Sequence, residues 1–214
     1  MRILSLCEKT GTMLQPWADG GHSCLALDIQ HSIRRDRVDN GILYMWADVR
    51  TITPEWIVET MGGKPDMIFA FPPCTSLSLS GSRDFKRKGI QALIDALTLV
   101  EACRKLCEWF DCPWMLENPM SRLSTCWRKP DHKFSPWQYG EDYQKETWLW
   151  TGGDFVMPEK MITEKPTHVT EKIWLAPPSK ERANIRSATS LKFAEHVYAA
   201  NVAVELTTNT VGVK

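Results

Sequence analysis

The chain has 214 residues, 43% of them hydrophobic and 24% charged, and its 26 basic residues are balanced by 26 acidic ones. This composition predicts one globular domain with a sizeable core and excludes a protein that binds nucleic acid through a global positive charge. No stretch is apolar for the length of a membrane span, and the first residues lack the pattern of a signal peptide. The seven cysteines, without an export signal, favour free thiols in a reducing cytoplasm.

Short apolar strands alternate with helix-like segments through the first third of the chain. Strands are predicted at 3–7, 23–27, 42–46 and 67–71, and helices at 13–19 and 53–62. Residues 34–37 are all charged and are expected to form a solvated loop. The alternation predicts an α/β fold with a doubly wound, mostly parallel sheet and right-handed crossovers.

Two of these strands are followed by an aspartate, Asp28 in one case and Asp48 in the other. The first of these acids, Asp28, follows a turn that contains Gly11, a helix and a strand. This order of elements is typical of a unit that binds a nucleotide-type cofactor. In such units the acid holds a ribose hydroxyl. An aspartate at the end of a strand is also a common turn or helix cap, so the sequence leaves both interpretations open.

The strand at 67–71 ends at Pro72 and Pro73, which cannot donate to a sheet ladder and therefore stop it. Cys74 then lies just beyond the carboxyl edge, where open α/β sheets bind ligands, either as a nucleophile or as an incidental thiol. A later apolar strand ends in Glu117 and Asn118. If the two strands are adjacent, the thiol and the carboxyl share one edge. A desolvated carboxyl there has a raised pKa and can donate a proton.

Two polar stretches come after these strands. Residues 75–88 are rich in hydroxyls and end in a basic cluster, and residues 121–140 interleave basic and aromatic side chains. Both suit contacts with nucleic acid, although ordinary surface loops fit the pattern as well. The predicted helix at 89–110 carries Cys103 and Cys107 on its apolar stripe, which favours core cysteines over a zinc site that also uses Cys112.

The last third of the chain is less regular. A strand is predicted at 146–151 and a final helix at 191–202, whereas residues 154–182 show no clear periodicity. Residues 207–214 are predicted to form a flexible tail.

The sequence Phe71-Pro72-Pro73-Cys74, with Glu117-Asn118-Pro119 further along the chain, resembles the nucleophile and glutamate motifs of the DNA cytosine-5 methyltransferases. The resemblance is closest to the short phage and prophage forms that lack a target-recognition domain. It implies a Rossmann-like S-adenosylmethionine-dependent methyltransferase fold over residues 1–206, with residues 151–182 as a reduced insertion in place of that domain. It also implies a cytoplasmic setting in a bacterium or a phage-infected cell.

The resemblance implies roles for individual residues. Cys74 would add to C6 of a flipped cytosine, protonated Glu117 would hold N3, and Asn118 would position the base edge or the local backbone. We also expect the loop around Cys74 to favour its thiolate. The residues expected to bind S-adenosylmethionine are Ser5, Leu6, Cys7, Lys9, Thr10, Gly11, Asp28, Ile29, Asp48, Val49, Phe71 and Pro72. Those expected to contact DNA are Pro73, Ser76, Arg83, Lys145 and Thr147, and no metal ion is expected.

Three residues depart from the family pattern. Lys9 stands where the family has a glycine in the cofactor turn, Ser5 where it usually has an acid, and Thr147 where the basic strand motif has an arginine. Since Lys9 would add a cation beside the donor, one alternative is a modified donor, carboxy-S-adenosylmethionine, that leaves a larger C5 substituent.

The missing recognition domain leaves two further alternatives, C5 modification of a free pyrimidine nucleotide and a non-catalytic protein that binds nucleic acid. For a DNA methyltransferase, sequence selectivity would be low, or would come from the loops at 76–88 and 121–133 or from a second subunit.

Overall fold

The computed structural model describes residues 1–173, 175, 177 and 186–211. This part of the chain is an α/β structure in which the strands form one mixed, mostly parallel sheet. The strands are β1 (Arg2–Leu6), β2 (Ser23–Leu27), β3 (Arg37–Asp39), β4 (Ile42–Met45), β5 (Met67–Ala70), β6 (Trp114–Asn118), β7 (His132–Phe134) and β8 (Thr147–Gly152). The α-helices are α1 (Gln15–Asp19), α2 (Pro54–Met61), α3 (Phe85–Trp109), α4 (Leu123–Cys126) and α5 (Leu191–Val211).

The sheet has the strand order β3-β4-β2-β1-β5-β6-β8-β7. The five strands from β4 to β6 in this order are parallel, as the alternation of strands and helices predicts. The outer strands are antiparallel to their neighbours. The order is compatible with a Rossmann-like arrangement, because β1, β2 and β4 follow one another outward on one side of the centre and β5 and β6 on the other.

Helices cover both faces of the sheet. On one face, α2 and α3 pack on alternate strand residues such as Leu4, Ile68 and Leu116, and on the other, α1 and α5 pack on residues such as Ile3 and Phe69. Cys103 and Cys107 are fully buried on the first face, which confirms their interpretation as core cysteines. Since the central strands are buried on both faces, their sequences are continuous apolar runs.

Several elements differ from the prediction. Arg37, predicted to lie in a charged loop, begins β3, because Asn40 and Gly41 have φ of 48° and 78° and form a two-residue hairpin to β4. Helix α3 begins at Phe85 rather than residue 89 and is interrupted at Gly89, whose φ of 77° and ψ of 177° are not helical. The predicted loop at 121–140 contains α4, β7 and a 3-10 turn at Pro136–Tyr139.

The last helix, α5, continues to Val211, past the predicted end at residue 202 and into the stretch predicted as a flexible tail. The final residues of that tail, 212–214, lie outside the described residues. Residues 174, 176 and 178–185 also lie outside them, so the predicted insertion at 151–182 is described only in part. No helix in the described ranges is both long and apolar enough to cross a membrane.

Gly11 shows how tightly the first turn of the fold is built. Its φ is +77°, and a Cβ there would lie 2.1 Å from Oη of buried Tyr44, which donates to the Thr10 carbonyl. We expect Gly11→Ala to lower the free energy of unfolding by more than about 2 kcal/mol. The cost of a left-handed backbone at alanine and the cost of the clash with Tyr44 add together. The matched control, Gly21→Ala, has φ +80° but open space around its Cβ, and should cost only about 1 kcal/mol. Urea unfolding of both variants measures the difference, and equal costs would contradict it.

Candidate functional site at the carboxyl edge of the sheet

The strand order reverses between β1 and β5, which opens a cleft at their carboxyl ends. Backbone hydrogen bonds continue past the strand ends, from Phe71 N to Leu6 O at 3.0 Å and from Glu8 N to Leu27 O at 3.0 Å. Since β5 pairs in parallel with β6, the Pro-Pro-Cys and Glu-Asn motifs emerge at the same edge. The adjacency on which the predicted thiol and carboxyl pair depends is therefore present.

Cys74 lies where the chain turns after the two prolines. Its carbonyl accepts hydrogen bonds from Leu77 N at 2.9 Å and Ser78 N at 2.8 Å. Burial raises the pKa of the Cys74 thiol, and the negative charge of Glu117 raises it further, while the cations of Lys145 and Arg186 oppose the shift. The expectation that this loop favours the thiolate is therefore wrong for the protein without ligands, because the thiol is desolvated beside an acid.

Glu117 is the largely buried acid of the site. Its side chain is 14% exposed, and its Oε1 accepts no hydrogen bond from the described residues and lies 4.0 Å from Nζ of Lys145. Burial raises the pKa of the carboxyl, and Lys145 only partly opposes this. The direction is the one predicted for a desolvated carboxyl at the sheet edge. A protonated Glu117 can donate a hydrogen bond to a bound ligand.

Asn118 connects the two motifs. Its Nδ2 donates to the carbonyl of Pro72 at 3.1 Å, and its buried Oδ1 accepts nothing from the described residues. Asn118 thus holds the proline turn against the end of β6. The side chain of Asn118 therefore positions the local backbone, which is one of the two roles expected from the sequence.

Lys145 and Thr147, predicted to contact a substrate, are tied to the protein. Nζ of Lys145 donates to the carbonyls of Ser187 at 3.3 Å and Ala188 at 3.2 Å, and Oγ1 of buried Thr147 donates to the Lys145 carbonyl at 3.0 Å. Lys145 therefore connects Glu117 to the segment that precedes α5. Only its remaining N–H is available to a ligand.

A pocket of about 300 Å³, counted out to its solvent opening, lies beside Glu117. Phe71, Phe134 and Phe193 form an aromatic wall, and Glu117 and Lys145 are its charged residues. The rings of Phe134 and Phe193 stack with centroids 4.0 Å apart. Cys74 does not line this pocket, but the charges of Glu117 and Lys145 act on its thiol.

The turn after β1 is organised by Glu8, which the sequence analysis did not select. Glu8 is buried, and its Oε1 accepts hydrogen bonds from Thr10 N, Thr10 Oγ1 and Gly11 N at 2.8–2.9 Å. Burial raises the pKa of its carboxyl, although these hydrogen bonds oppose the shift. The turn starts at Cys7, whose φ of 56° is uncommon for a residue other than glycine. An acid with a threonine and a glycine shortly after it is the only signal for this arrangement in the sequence.

The residues predicted to bind a donor fall into two groups. The first group is buried and can offer a donor its backbone at most: Ser5, Leu6, Val49 and Pro72. The Sγ atom of Cys7 lies 4.0 Å from Sγ of Cys103. Asp28 accepts from Gln30 N at 2.7 Å through Oδ1, and no described residue donates to its Oδ2. Ile29 is exposed, and Lys9 makes no hydrogen bond or ion pair within the described part of the chain.

Asp48 is less available than predicted. Nε and Nη2 of Arg50 bind both of its carboxylate oxygens, at distances from 2.6 to 3.2 Å. This ion pair lowers the pKa of Asp48. A ligand that uses the Asp48 side chain would compete with Arg50.

The described residues contain no group of three His, Cys, Asp or Glu side chains that could hold a metal ion.

The two polar loops predicted to face nucleic acid meet at the rim of the site. Ser78 and Ser121 form an antiparallel bridge, and Arg122 N donates to the Leu77 carbonyl at 3.1 Å. Arg83 is exposed, and Ser76 is half-buried. Phe134, however, is buried in the core rather than presented on a surface loop.

Neither a family model nor a curated protein matches the chain.

The raised pKa of Cys74 predicts slow alkylation at neutral pH. The reactive thiolate is the minor form below that pKa, so the rate with iodoacetamide should rise about tenfold per pH unit from pH 7 to pH 9. At any pH where the Glu117 carboxyl is ionised, Glu117→Gln should speed the reaction, since it removes the negative charge that raises the pKa of the Cys74 thiol. Peptide mass spectrometry measures Cys74 against exposed Cys126 in the same sample. A rate that is already constant from pH 7 upward would show that Cys74 is a resident thiolate.

The raised pKa of Glu117 predicts that this carboxyl destabilises the fold as the pH rises. The unfolded chain loses the proton near pH 4.3, whereas the folded protein holds it to higher pH, so stability falls between the two pKa values. Glu117→Gln cannot titrate and should raise Tm at pH 8 but not at pH 4, by about 2–4 °C for each kcal/mol relieved. Glu159→Gln, at an exposed position, is the control. A Tm difference independent of pH would contradict the prediction.

Proposed function

We propose that the protein transfers a methyl group from S-adenosylmethionine to C5 of cytosine in DNA through a covalent bond between Cys74 and C6. The observation that carries this proposal is the pairing of Cys74 with buried, protonatable Glu117 at the ends of adjacent strands. The resemblance of both motifs to the DNA cytosine-5 methyltransferases supports it. The methyltransferase type of the fold and a bacterial or phage-infected cytoplasm belong to the same proposal.

The turn after β1 and the ends of β2 and β4 suit S-adenosylmethionine, which would supply an electrophilic methyl group. Oδ2 of Asp28 can accept from a ribose hydroxyl, and exposed Ile29 can pack on an adenine ring. Lys9 has an ammonium group without a partner among the described residues, and this group can pair with the carboxylate of the donor. Asp48 fits less well, because Arg50 occupies both of its carboxylate oxygens.

The side chains of the site divide the reaction between them. Cys74 gives its proton to water and its Sγ bonds to C6, while Glu117 protonates N3, so that the C5–C6 double bond shifts to C4–C5. C5 would then take the methyl group as the donor leaves as its neutral thioether, and N3 would return its proton to Glu117. Water would remove the C5 proton, and the electrons of that C–H bond would re-form the C5–C6 double bond and expel Sγ, which releases Cys74. Asn118 keeps the proline turn and the end of β6 together, so that the thiol and the acid reach the same base.

A modified donor is a second candidate, and one observation favours it. The Lys9 ammonium lies in the turn expected to face the donor and is not neutralised by any described carboxylate. A carboxylate carried on the transferred group, as in carboxy-S-adenosylmethionine, would complement that charge. The product would then be 5-carboxymethylcytosine in place of 5-methylcytosine.

Nucleoside mass analysis tests the proposal and its alternatives together. The protein is incubated with DNA or dCMP and with each donor in turn, and the products are digested to nucleosides. We expect 5-methylcytosine from DNA, its loss in Cys74→Ala, and its retention in Cys126→Ala. Product from dCMP alone would identify a nucleotide-modifying enzyme. DNA binding without any product would identify a non-catalytic protein, and carboxymethylcytosine would favour the modified donor.

Trapping tests the covalent step separately. In DNA with 5-fluorocytosine, C5 cannot lose a proton after methyl transfer, so the Sγ–C6 bond should persist in SDS. We expect a trapped complex that is absent with Cys74→Ala. With Glu117→Gln it should form more slowly by about 10²–10⁴-fold, the usual contribution of a general acid. Equal trapping by Glu117→Gln would exclude proton donation by Glu117.

A further inference from the structure

Strand β3 forms one margin of the sheet, and its outer backbone edge is open. Among the described residues, β3 pairs only with β4, through the two-residue hairpin at Asn40 and Gly41. In such a hairpin the residues that flank the turn exchange both backbone hydrogen bonds, and the pattern then alternates along the strand. Asp39 and Arg37 therefore bond to β4, whereas the N–H and C=O of Val38 point away from the sheet.

The side chains of β3 leave this edge accessible to another strand. Edge strands are commonly protected by proline, by a β-bulge or by charges that an incoming strand cannot match. Strand β3 contains no proline and no bulge, and its two charges have opposite signs. Val38 is 73% exposed, and Ile33, in the segment that leads into the strand, is 71% exposed. An open edge with an apolar centre is a surface on which a second strand can pair.

The order of the charges makes β3 complementary to itself. If two copies of β3 pair antiparallel about Val38, Arg37 of each copy lies opposite Asp39 of the other. The two Val38 residues then exchange both of their outward backbone hydrogen bonds across the twofold axis. Arg37 and Asp39 are 56% and 48% exposed, so they can exchange their present contact with each other for a contact with the second copy. The charges therefore set the register, whereas the backbone groups and side chains of Val38 supply the contact.

The opposite margin of the sheet lacks this complementarity. Strand β7 is His132-Lys133-Phe134, and it pairs with β8 on its inner side. Two copies of β7 paired about Lys133 would place two lysines side by side, and like charges directly opposite each other are destabilising. The Lys133 ammonium also lies over the Trp148 ring at 4.3 Å. Of the two margins, β3 is therefore the one that suits pairing with a second copy.

We propose that β3 is an interface at which two copies of this chain join edge to edge, so that the sheet continues from one copy into the other. A twofold axis at Val38 relates the copies, and each makes the same contacts as its partner. Since β3 runs antiparallel both to β4 and to the second β3, the parallel strands of the two copies run in opposite directions. The two candidate sites therefore open at opposite edges of the combined sheet, and β4 and β2 separate each site from the interface. The inference does not depend on the proposed function.

Sedimentation equilibrium of the full chain tests for the dimer. A strand of three residues makes a small contact, so the association should be weak and should depend on concentration. We expect the average mass to rise from that of a monomer toward that of a dimer across the micromolar range.

Charge exchange tests the register of the pairing. Arg37→Asp alone and Asp39→Arg alone each place like charges opposite each other, and each should weaken dimerisation by about tenfold or more. An equal mixture of the two variants restores both pairs of opposite charge and should dimerise as the wild type does. A folding defect in either variant cannot cause association in the mixture alone. The matched control is Arg87→Asp, which breaks an exposed ion pair with Asp84 outside β3 and should leave dimerisation unchanged.

Val38→Pro tests the backbone contact. Proline removes the outward N–H of Val38 but no hydrogen bond to β4, so the variant should fold, as circular dichroism would verify, and should lose the dimer. A wild type that stays monomeric at every concentration would overturn the interface. A dimer that persists in Val38→Pro, or a mixture of the charge variants that associates no more than its separate components, would overturn it as well.

Discussion

The hydrogen bond from Asn118 to the carbonyl of Pro72 is the contact on which the rest of the site depends. The two prolines end the β5 ladder, so backbone pairing cannot position Cys74 beyond them. The amide of Asn118 replaces that pairing with a side-chain contact from the next strand. Because Asn118 is fully buried, water cannot take its place. The amide of Asn118 thus holds the turn before Cys74 against the end of β6, and the Ser78–Ser121 bridge joins the same two segments further along the chain.

The pKa values of the thiol and the acid of this site are both shifted in the direction that favours the neutral form. Burial raises the pKa of Cys74 and that of Glu117, and the negative charge of Glu117 raises the pKa of Cys74 further. The pair therefore opposes a resident thiolate and favours a protonated acid. Lys145 is the local cation that can relieve either charge, but the carbonyls of residues 187 and 188 hold its ammonium in place. Either group can therefore become charged more readily when a bound ligand supplies compensating contacts.

The sequence allowed the parallel centre of the fold and the adjacency of Cys74 and Glu117 to be predicted, because buried strands are continuous apolar runs and their polar ends share one edge. It did not allow the short strands β3 and β7 to be predicted. Strand β7 has three residues, too few to show a periodic pattern. Strand β3 was hidden because the Asn40-Gly41 hairpin signal follows a run of charged residues that is typical of a loop. The role of Glu8 and the engagement of Asp48 by Arg50 depend on side-chain directions that no spacing encodes.

The proposed function requires the loops at 76–88 and 119–123 to contact DNA. Base-edge readout requires several side chains that enter a groove, and the described rim offers mainly cations and hydroxyls around Leu79 and Met120. Cations and hydroxyls bind phosphates, whereas apolar side chains contact every base step alike. The exposed heads of Arg83 and Lys86 are free to bind phosphates, since neither has a partner among the described residues. Such a surface favours binding that weakens steeply with salt and tolerates many sequences, because phosphate contacts dominate its affinity. Under the proposed function, selection of the target would then rest on how easily a base leaves the stack.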